Sequence, residues 1–401
     1  MRVIDTGMGS EHVAEAGTGQ PLRVAIVTGN FNYVRDGVAL TLNRAADHLA
    51  ARDVPVLVVA PTTDSPAIET NHSVISVPSV PIPLRKEYRA AIGLSAAAKR
   101  ALLDFRPTIM HVATPDMLGK QAISFAKSHN IPVLASYHTR YDAYAHHYGI
   151  SVLRGLWKRH SRNLYNGCDC ILAPSESMAN LLRRDGISTP IHLWKRGVDK
   201  SLFTPDRRTQ DWRRERGIGA DEVLVTFVGR LVREKNVLLL EEIFSDLRAK
   251  GLKFRSMIVG NGPLEARLRD SLKGSIFTGF LTGPELANCY ANSDIFLFPS
   301  ESESFGNVTL EAMASGLPVV AANACGSMSL VEEGTTGLLA ADARTSEFVA
   351  HLADLINSPE LRRRMGRAGY SHSLSYDWSK AMSDLEGFYK KTIKLSEQVL
   401  R

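Results

Sequence analysis

A strand, a loop, a helix and a second strand are predicted in succession from Ile295 to Val320. The first four residues of this stretch are all apolar, as in a buried parallel strand, and a polar loop follows them. The helix is expected to begin near Phe305 and Gly306 and to end at Gly316, because Pro318 cannot continue it. This βα unit is the building block of a doubly wound parallel sheet, whose ligands bind beyond the carboxyl ends of the strands.

Two carboxylates flank the start of this predicted helix. Glu303 lies in the loop, and Glu311 lies one turn after Asn307 on the helix. Free N–H groups at a helix start bind phosphate or hydroxyl oxygens, and carboxylates beside them can accept hydrogen bonds from sugar and ribose hydroxyls. The pattern therefore favours a sugar nucleotide. The alternative is an ordinary helix with two solvated glutamates, since acidic residues are common near helix N-termini.

The same pattern opens both halves of the chain. Arg23–Thr28 reads as an apolar strand, and a loop, a helix through Leu49 and a second strand over Val54–Ala60 follow it. The pattern restarts with a strand at Val223–Gly229. Because 401 residues are too many for one typical core, the sequence predicts an α/β protein of two domains.

Composition indicates an ordinary globular chain, with 44% hydrophobic and 22% charged residues. No apolar run approaches the 18 residues of a membrane span, and the first twenty residues lack the core of a signal peptide. The four cysteines have neither metal nor disulfide spacing, which favours a reducing compartment. A net charge of +6 favours anionic partners, but without zinc spacing or interleaved aromatic and basic residues we expect no nucleic acid.

Two basic segments are predicted to be helical. Pro78–Arg100 has prolines and then basic residues among Tyr88 and Ile92, and Leu153–Asn166 places basic residues beside Trp157 and several leucines. Such faces can lie on an anionic bilayer. The alternative is a solvated basic face whose Leu and Trp side chains belong to the core.

The stretch Pro299–Val320 resembles the Glu-x7-Glu signature of retaining glycosyltransferases, carried here by Glu303 and Glu311. The likeness extends over residues 22–390 and is greatest to sulfoquinovosyl diacylglycerol synthases and bacterial lipid α-mannosyl- and α-glucosyltransferases. It implies the GT-B fold, in which two doubly wound Rossmann-like domains face a central cleft. The implied boundaries are a flexible tail at 1–20, an acceptor-side domain at 21–195, a nucleotide-sugar-binding domain at 196–375, and a helix at 376–401 that returns to the first domain.

The resemblance also implies roles for individual residues. His138, in the segment Ser136–Thr139, would contact the donor sugar, Arg230 and Lys235 would clamp the diphosphate, and Glu303 would orient the sugar. The implied donor-binding residues are Gly37, Gly229, Gly260, Gly262, Ser304, Phe305, Gly306, Asn307, Val308 and Glu311. The residues expected to face the acceptor are Asp36, Arg140, Tyr141 and Asp142.

The implied reaction is retaining transfer of a hexose from a UDP-hexose or GDP-mannose to a membrane lipid such as diacylglycerol. The sequence has no Asp-x-Asp, so we expect no metal and no other cofactor. The protein is expected to be cytoplasmic and peripheral on the inner face of the membrane. The nucleotide, the hexose and the oligomeric state stay open. The alternatives are a polysaccharide or lipid-linked oligosaccharide acceptor, a sugar-nucleotide epimerase or phosphorylase, and a non-catalytic membrane-surface protein.

Overall fold

A computed structural model describes residues 20–82, 85–138, 154–341 and 344–400. The predicted tail, except for Gln20, lies outside the described residues, and so do the acceptor-side candidates Arg140, Tyr141 and Asp142.

The strands of the N-terminal half are short and mostly buried. They are β1 (Val24–Val27), β2 (Val56–Ala60), β3 (Ser73–Ser76), β4 (Ser79–Ile82), β5 (Arg85–Ala91), β6 (Ile109–Val112), β7 (Val133–Ser136), β8 (Cys170–Ala173) and β9 (Ile191–Leu193). A parallel sheet joins them in the order β3-β2-β1-β6-β7-β8-β9, while β4 and β5 pair as an antiparallel hairpin. The order reverses at β1, which is the switch point of a doubly wound sheet.

The helices of this half cover the sheet. They are α1 (Gly37–Ala50), α2 (Ala96–Phe105), α3 (Met117–Ser128), α4 (Arg154–Tyr165) and α5 (Glu176–Arg184). Their starts are set locally, because Asp36, Ser95, Asp116 and Ser175 each accept a hydrogen bond from a backbone N–H of the first turn.

The predicted helical reading of the first basic segment is wrong before Ala96. Arg85–Ala91 is a strand paired with Ser79–Ile82, and α2 begins only after its cap Ser95. The prolines of this segment disfavour a helix, and Gly93, with φ at +149°, separates the strand from α2. Arg85, Lys86 and Arg89 therefore belong to a hairpin, whereas Lys99 and Arg100 lie on α2.

The C-terminal half repeats the architecture. Its strands are β10 (Leu224–Val228), β11 (Arg255–Val259), β12 (Ile276–Gly279), β13 (Ile295–Phe298), β14 (Val319–Ala322) and β15 (Gly337–Ala340), parallel in the order β12-β11-β10-β13-β14-β15. Its helices are α6 (Gln210–Glu215), α7 (Leu239–Ala249), α8 (Glu265–Ser271), α9 (Gly283–Ala291), α10 (Asn307–Ala314), α11 (Cys325–Met328), α12 (Thr345–Asn357), α13 (Pro359–Ser373) and α14 (Trp378–Leu400). Two doubly wound sheets were predicted, and this prediction is confirmed.

The second switch point lies between β10 and β13, which are neighbours in the sheet. The loops after these strands begin at Gly229 and Pro299, so they meet beyond the carboxyl edge. A 3-10 turn over Arg233–Lys235 lies in the first of these loops.

The last helix packs on the N-terminal sheet. Leu385 and Tyr389 of α14 belong to the same apolar cluster as Val24, Leu42 and Trp194. Among the described residues, no helix has the length and apolar character needed to cross a bilayer.

Candidate functional site

Arg230 follows β10 at the edge of the cleft and contacts the β4–β5 hairpin of the other half. Its Nη1 donates to the Tyr88 hydroxyl (3.1 Å), and its Nη2 pairs with the Glu87 carboxylate. Burial opposes ionisation of Glu87, but hydrogen bonds from Arg85 and Arg230 outweigh it and lower the pKa of Glu87 to about 2. The ionised Glu87 carboxylate therefore pairs with Arg230, the cation that is predicted to bind the donor phosphates.

Lys235 pairs with Glu303, the loop carboxylate of the Glu-x7-Glu stretch. The two side chains are 19% and 17% exposed. They come from the loops after β10 and β13, so the sheet switch point brings together a predicted diphosphate ligand and a predicted sugar ligand. Each is the other's counter-ion in this structure.

The start of α10 faces the N-terminal half. Gly306 adopts φ of +96°, which glycine tolerates and which turns the chain into the helix. The Oδ1 of Asn307 is buried without a hydrogen-bond partner among the described residues. A Cβ on Gly37 would lie 3.1 Å from the Asn307 amide nitrogen, so the two halves are close at this point. An orphaned acceptor beside free N–H groups suits a ligand that offers both hydroxyl and anionic oxygens.

Other residues of this loop are held by contacts within the protein. The Ser304 hydroxyl donates to the carbonyl oxygen of His138, and the Ser175 hydroxyl donates to the Ser304 carbonyl (3.4 Å). Phe305 is buried with its ring edge against Tyr376. Val308 packs against the core of the second sheet.

Glu311 lies one turn into α10 and accepts a hydrogen bond from the Tyr290 hydroxyl (3.1 Å). Burial raises the pKa of Glu311 to about 7, while Tyr290 and the charge of Arg44 act in the opposite direction. Protonation of this carboxyl is therefore balanced near neutral pH.

His138 follows β7 and has both ring nitrogens bound inside the protein. Its Nε2 lies 2.7 Å from the Ser136 hydroxyl, and its Nδ1 lies 3.1 Å from Nη2 of Arg196. Burial holds the pKa of His138 well below its usual range, and the charges of Arg196 and then His111 lower it further. The ring is neutral at physiological pH.

Asp36 has its carboxylate bound within the N-terminal half. It caps α1 through Ala39 (2.8 Å) and accepts hydrogen bonds from Asn30 (2.9 Å) and the Tyr88 hydroxyl (3.1 Å). Burial raises the pKa of Asp36, and these hydrogen bonds oppose the rise. Through Tyr88, the Asp36 loop is joined to Arg230.

The glycines of the second half have a packing role. A Cβ on Gly260 would overlap the carbonyl of Gly229, and one on Gly262 would overlap the carbonyl of Leu231. Gly260 also has φ of +133°. These glycines let the turn after β11 lie directly against the Arg230 loop.

Sequence reasoning missed four residues that contact these candidates. They are Glu87, Tyr88, Arg196 and Tyr290. Glu87 and Tyr88 lie in the basic segment Pro78–Arg100 and Arg196 lies at the predicted domain boundary, but no signal in the sequence marked any of the four as a site residue. Among the described residues, no group of three or more His, Cys, Asp or Glu side chains is arranged to hold a metal ion.

Two family models match the chain and between them span most of it. The model described as Glycosyltransferase Family 4 matches residues 35–202, and the model described as Glycosyl transferases group 1 matches residues 208–372.

Curated relatives match across much of the length. A GDP-mannose-dependent alpha-mannosyltransferase from Corynebacterium glutamicum is 32% identical, over 95% of this chain and 91% of the relative. The sulfoquinovosyl transferase of Arabidopsis thaliana is 34% identical, over 78% of this chain and 62% of its own length. An alpha-monoglucosyldiacylglycerol synthase from Streptococcus pneumoniae is 26% identical, over 75% of this chain and 71% of its own length.

Solved structures share the fold. The sucrose-phosphate synthase of Thermosynechococcus elongatus matches with a TM-score of 0.79 at 20% identity, over 93% of this chain and all of that one. Anabaena HepE in complex with UDP-glucose matches with a TM-score of 0.71 at 18% identity, over 92% and 100%. At these identities the likeness concerns the fold alone.

Proposed function

The chain belongs to the group 1 family of glycosyltransferases and has the GT-B fold, and from this premise we propose that it transfers a hexose, with retention, from a nucleotide diphosphate sugar to a membrane lipid. The observation that carries the proposal is the convergence of Arg230, Lys235 and the start of α10 on one edge of the cleft, where Glu303 and Glu311 flank them.

The donor diphosphate would replace the carboxylates that now pair with the two cations. Arg230 would bind it through its fork and Lys235 as a point charge. The N–H groups at the start of α10 would also donate hydrogen bonds to the diphosphate. Negative charge that develops on the leaving group would therefore be stabilised by donors that are already in position. Glu311 would accept hydrogen bonds from the ribose hydroxyls, and Asn307 Oδ1, which has no partner in the described parts of the chain, is an acceptor at the same helix start.

Glu303 and His138 would orient the donor sugar. Release of Lys235 to the diphosphate frees the Glu303 carboxylate to accept from sugar hydroxyls. A neutral His138 suits a reacting sugar that gains positive charge in the transition state. We propose front-face attack, with a donor phosphate oxygen taking the acceptor proton and with no metal required.

Closure of the two domains about a hinge close to Arg196 would exclude water, which would otherwise hydrolyse the donor. The domain limits proposed above, 21–195 and 196–375 with the returning helix 376–401, follow from this hinge.

The lipid acceptor is supported by the name of a relative, the alpha-monoglucosyldiacylglycerol synthase, and by the surface of α4. Leu156 is 66% exposed, and Arg159, three residues further on the same helix, is exposed as well. An apolar side chain beside an arginine suits the surface of an anionic bilayer. We propose a peripheral position on the inner face of the membrane.

Donor consumption by the purified protein tests the proposal. UDP-glucose, UDP-glucuronate, UDP-galactose, UDP-sulfoquinovose and GDP-mannose are each supplied with and without diacylglycerol liposomes, with EDTA present or absent. We expect one donor to be consumed faster with liposomes, in EDTA as well, and to give an α-linked lipid. Turnover without any acceptor would favour an epimerase, and consumption only with a soluble glycan would replace the lipid. Failure to bind any nucleotide would refute the proposal.

A further inference from the structure

Arg196 is a buried cation that contacts His138. It is 4% exposed, and within the part of the chain that the structure describes it has no Asp or Glu partner. Its guanidinium donates to the Trp194 carbonyl (3.0 Å) and to His138 Nδ1 (3.1 Å), and it stacks on the Trp194 ring at 4.2 Å. Buried charges are usually paired with carboxylates, so a buried cation that has an imidazole as its partner among the described residues points to a role in the site.

The contact with His138 leaves one protonation pattern for the imidazole. A guanidinium is a donor only, so the Nδ1 that faces it must be the unprotonated acceptor. The proton of the neutral ring then lies on Nε2, which donates to the Ser136 hydroxyl at 2.7 Å. A doubly protonated ring would lose this acceptor and set two cations about 3 Å apart.

The hydrogen bonds continue away from the cleft. Ser136 Oγ lies 2.7 Å from His111 Nε2, and His111 Nδ1 lies 2.7 Å from the hydroxyl of Tyr389 on α14. Burial lowers the pKa of His111 to about 3, and Arg196 acts in the same direction. Both imidazoles are therefore neutral, because burial lowers their pKa and the charge of Arg196 adds to this effect.

Trp194 holds this arrangement in place. Its indole N–H donates to the Ala381 carbonyl of α14 (2.8 Å), and the edges of His111 and His138 meet it at 6.1 and 6.0 Å between ring centroids. The ring that supports Arg196 thus also borders both histidines.

We propose that Arg196 is a positioning residue for the glycosyl transfer, which fixes His138 as the neutral tautomer with its proton on Nε2. The inference rests on the proposed function, because it matters for catalysis only if His138 faces the donor sugar. The ring is anchored at both nitrogens, and the backbone carbonyl of His138 separately accepts a hydrogen bond from Ser304.

Three substitutions separate the hydrogen bond from the charge. Arg196→Gln keeps a donor for Nδ1 without charge, Arg196→Lys keeps the charge without the stacked fork, and Arg196→Met removes both. Arg267→Met is the matched control, because Arg267 is exposed and pairs with Glu241 on the second half.

The first readout is the protonation state of the ring. The full chain labelled with 15N-histidine has twelve histidines, and His138→Gln identifies the signal. Long-range 1H–15N spectra should show an Nε2–H neutral ring between pH 5.5 and 8.5 in wild type and in Arg196→Gln. In Arg196→Met the tautomers should mix and the titration should move toward neutral pH. An Nδ1–H ring in wild type, or an unchanged ring in Arg196→Met, would overturn the inference.

The second readout is kcat against pH for the donor that wild type uses. We expect Arg196→Met to lose about tenfold or more at pH 6, and less at pH 8, while binding of UDP and GDP changes less than about threefold. Arg196→Gln should retain more activity than Arg196→Met. Equal loss in all three variants at every pH would indicate a structural role and refute the inference. If wild type turns over no donor, the proposed function fails, and the spectra still decide the tautomer.

Discussion

The two walls of the cleft are built in different ways. The C-terminal wall presents two cations that are paired with carboxylates, Arg230 with Glu87 of the facing hairpin and Lys235 with Glu303 of its own half. The N-terminal wall carries neutral imidazoles joined by hydrogen bonds and one buried guanidinium, that of Arg196. We call the first the charged wall, which is partly exposed, and the second the neutral wall, after its two uncharged imidazoles.

The difference indicates a division of work. Partly exposed ion pairs contribute little net stability, about 0–1 kcal/mol, so a diphosphate can replace their carboxylates without loss of the fold. Breaking one bond in a buried hydrogen-bond chain leaves a polar group unsatisfied, which lowers the free energy of unfolding by about 1–3 kcal/mol. The charged wall is therefore suited to binding and releasing a ligand, and the neutral wall to keeping one geometry.

Removing the cations of the charged wall should have the largest effect. We expect Lys235→Met or Arg230→Met to lower kcat/KM for the donor by about 100- to 1,000-fold, because the leaving diphosphate loses a charge that opposes its own. Steady-state kinetics measure this, with Arg267→Met as the surface control. A loss below about threefold in both variants would mean that this wall does not bind the diphosphate.

Donor affinity should depend on pH through Glu311. Its pKa is raised to about 7, so the carboxylate that accepts ribose hydrogen bonds forms as pH rises through 7. We expect the affinity for UDP or GDP to increase about tenfold from pH 6 to 8. Tyr290→Phe removes a hydrogen bond that lowers this pKa, so its midpoint should move upward, whereas Tyr389→Phe should leave it in place. Titration calorimetry measures the affinity at each pH. An affinity that does not change between pH 6 and 8 would contradict the role given to Glu311.

The pair between Glu87 and Arg230 should be a competitor of the donor. Glu87→Gln removes the negative charge while keeping a similar shape, so donor affinity should increase about threefold to tenfold. Glu176→Gln, which breaks an exposed pair with Arg183, is the control. Weaker binding in Glu87→Gln would instead mean that the carboxylate helps to position Arg230 for the ligand.

The neutral wall should be visible in stability at low pH. The folded pKa of His111, about 3, lies below its ordinary value of 6.5, so the unfolded chain binds the extra proton between these values and stability falls as pH drops below 6.5. Between pH 7 and 5.5 this amounts to about 1 kcal/mol. In denaturant unfolding, the free energy of unfolding of His111→Gln should depend less on pH than that of wild type. His129→Gln, at an exposed position, should depend on pH as wild type does. An equal pH effect in wild type and His111→Gln would count against a buried neutral His111.

Part of the site could be read from the sequence, because its residues follow strands. Arg230, Glu303 and His138 come directly after or shortly after β10, β13 and β7, and strand ends in such a sheet converge. Glu87 and Tyr88 could not be found in this way. They lie in a segment that read as a helix, and their partner Arg230 is more than 140 residues away.

The sequence by itself determined the two successions of parallel strands and helices and the positions of the motif residues, since apolar periodicity, glycine and proline act over a few residues. It did not determine the β4–β5 hairpin, which read as a helix. Tertiary structure alone decided that Glu87 would pair with Arg230 and that Arg196 would donate a hydrogen bond to His138. It also joined His111 to Tyr389, 278 residues further along the chain. Contacts of this kind depend on how distant elements pack and on which charges burial leaves unpaired, and local periodicity records neither.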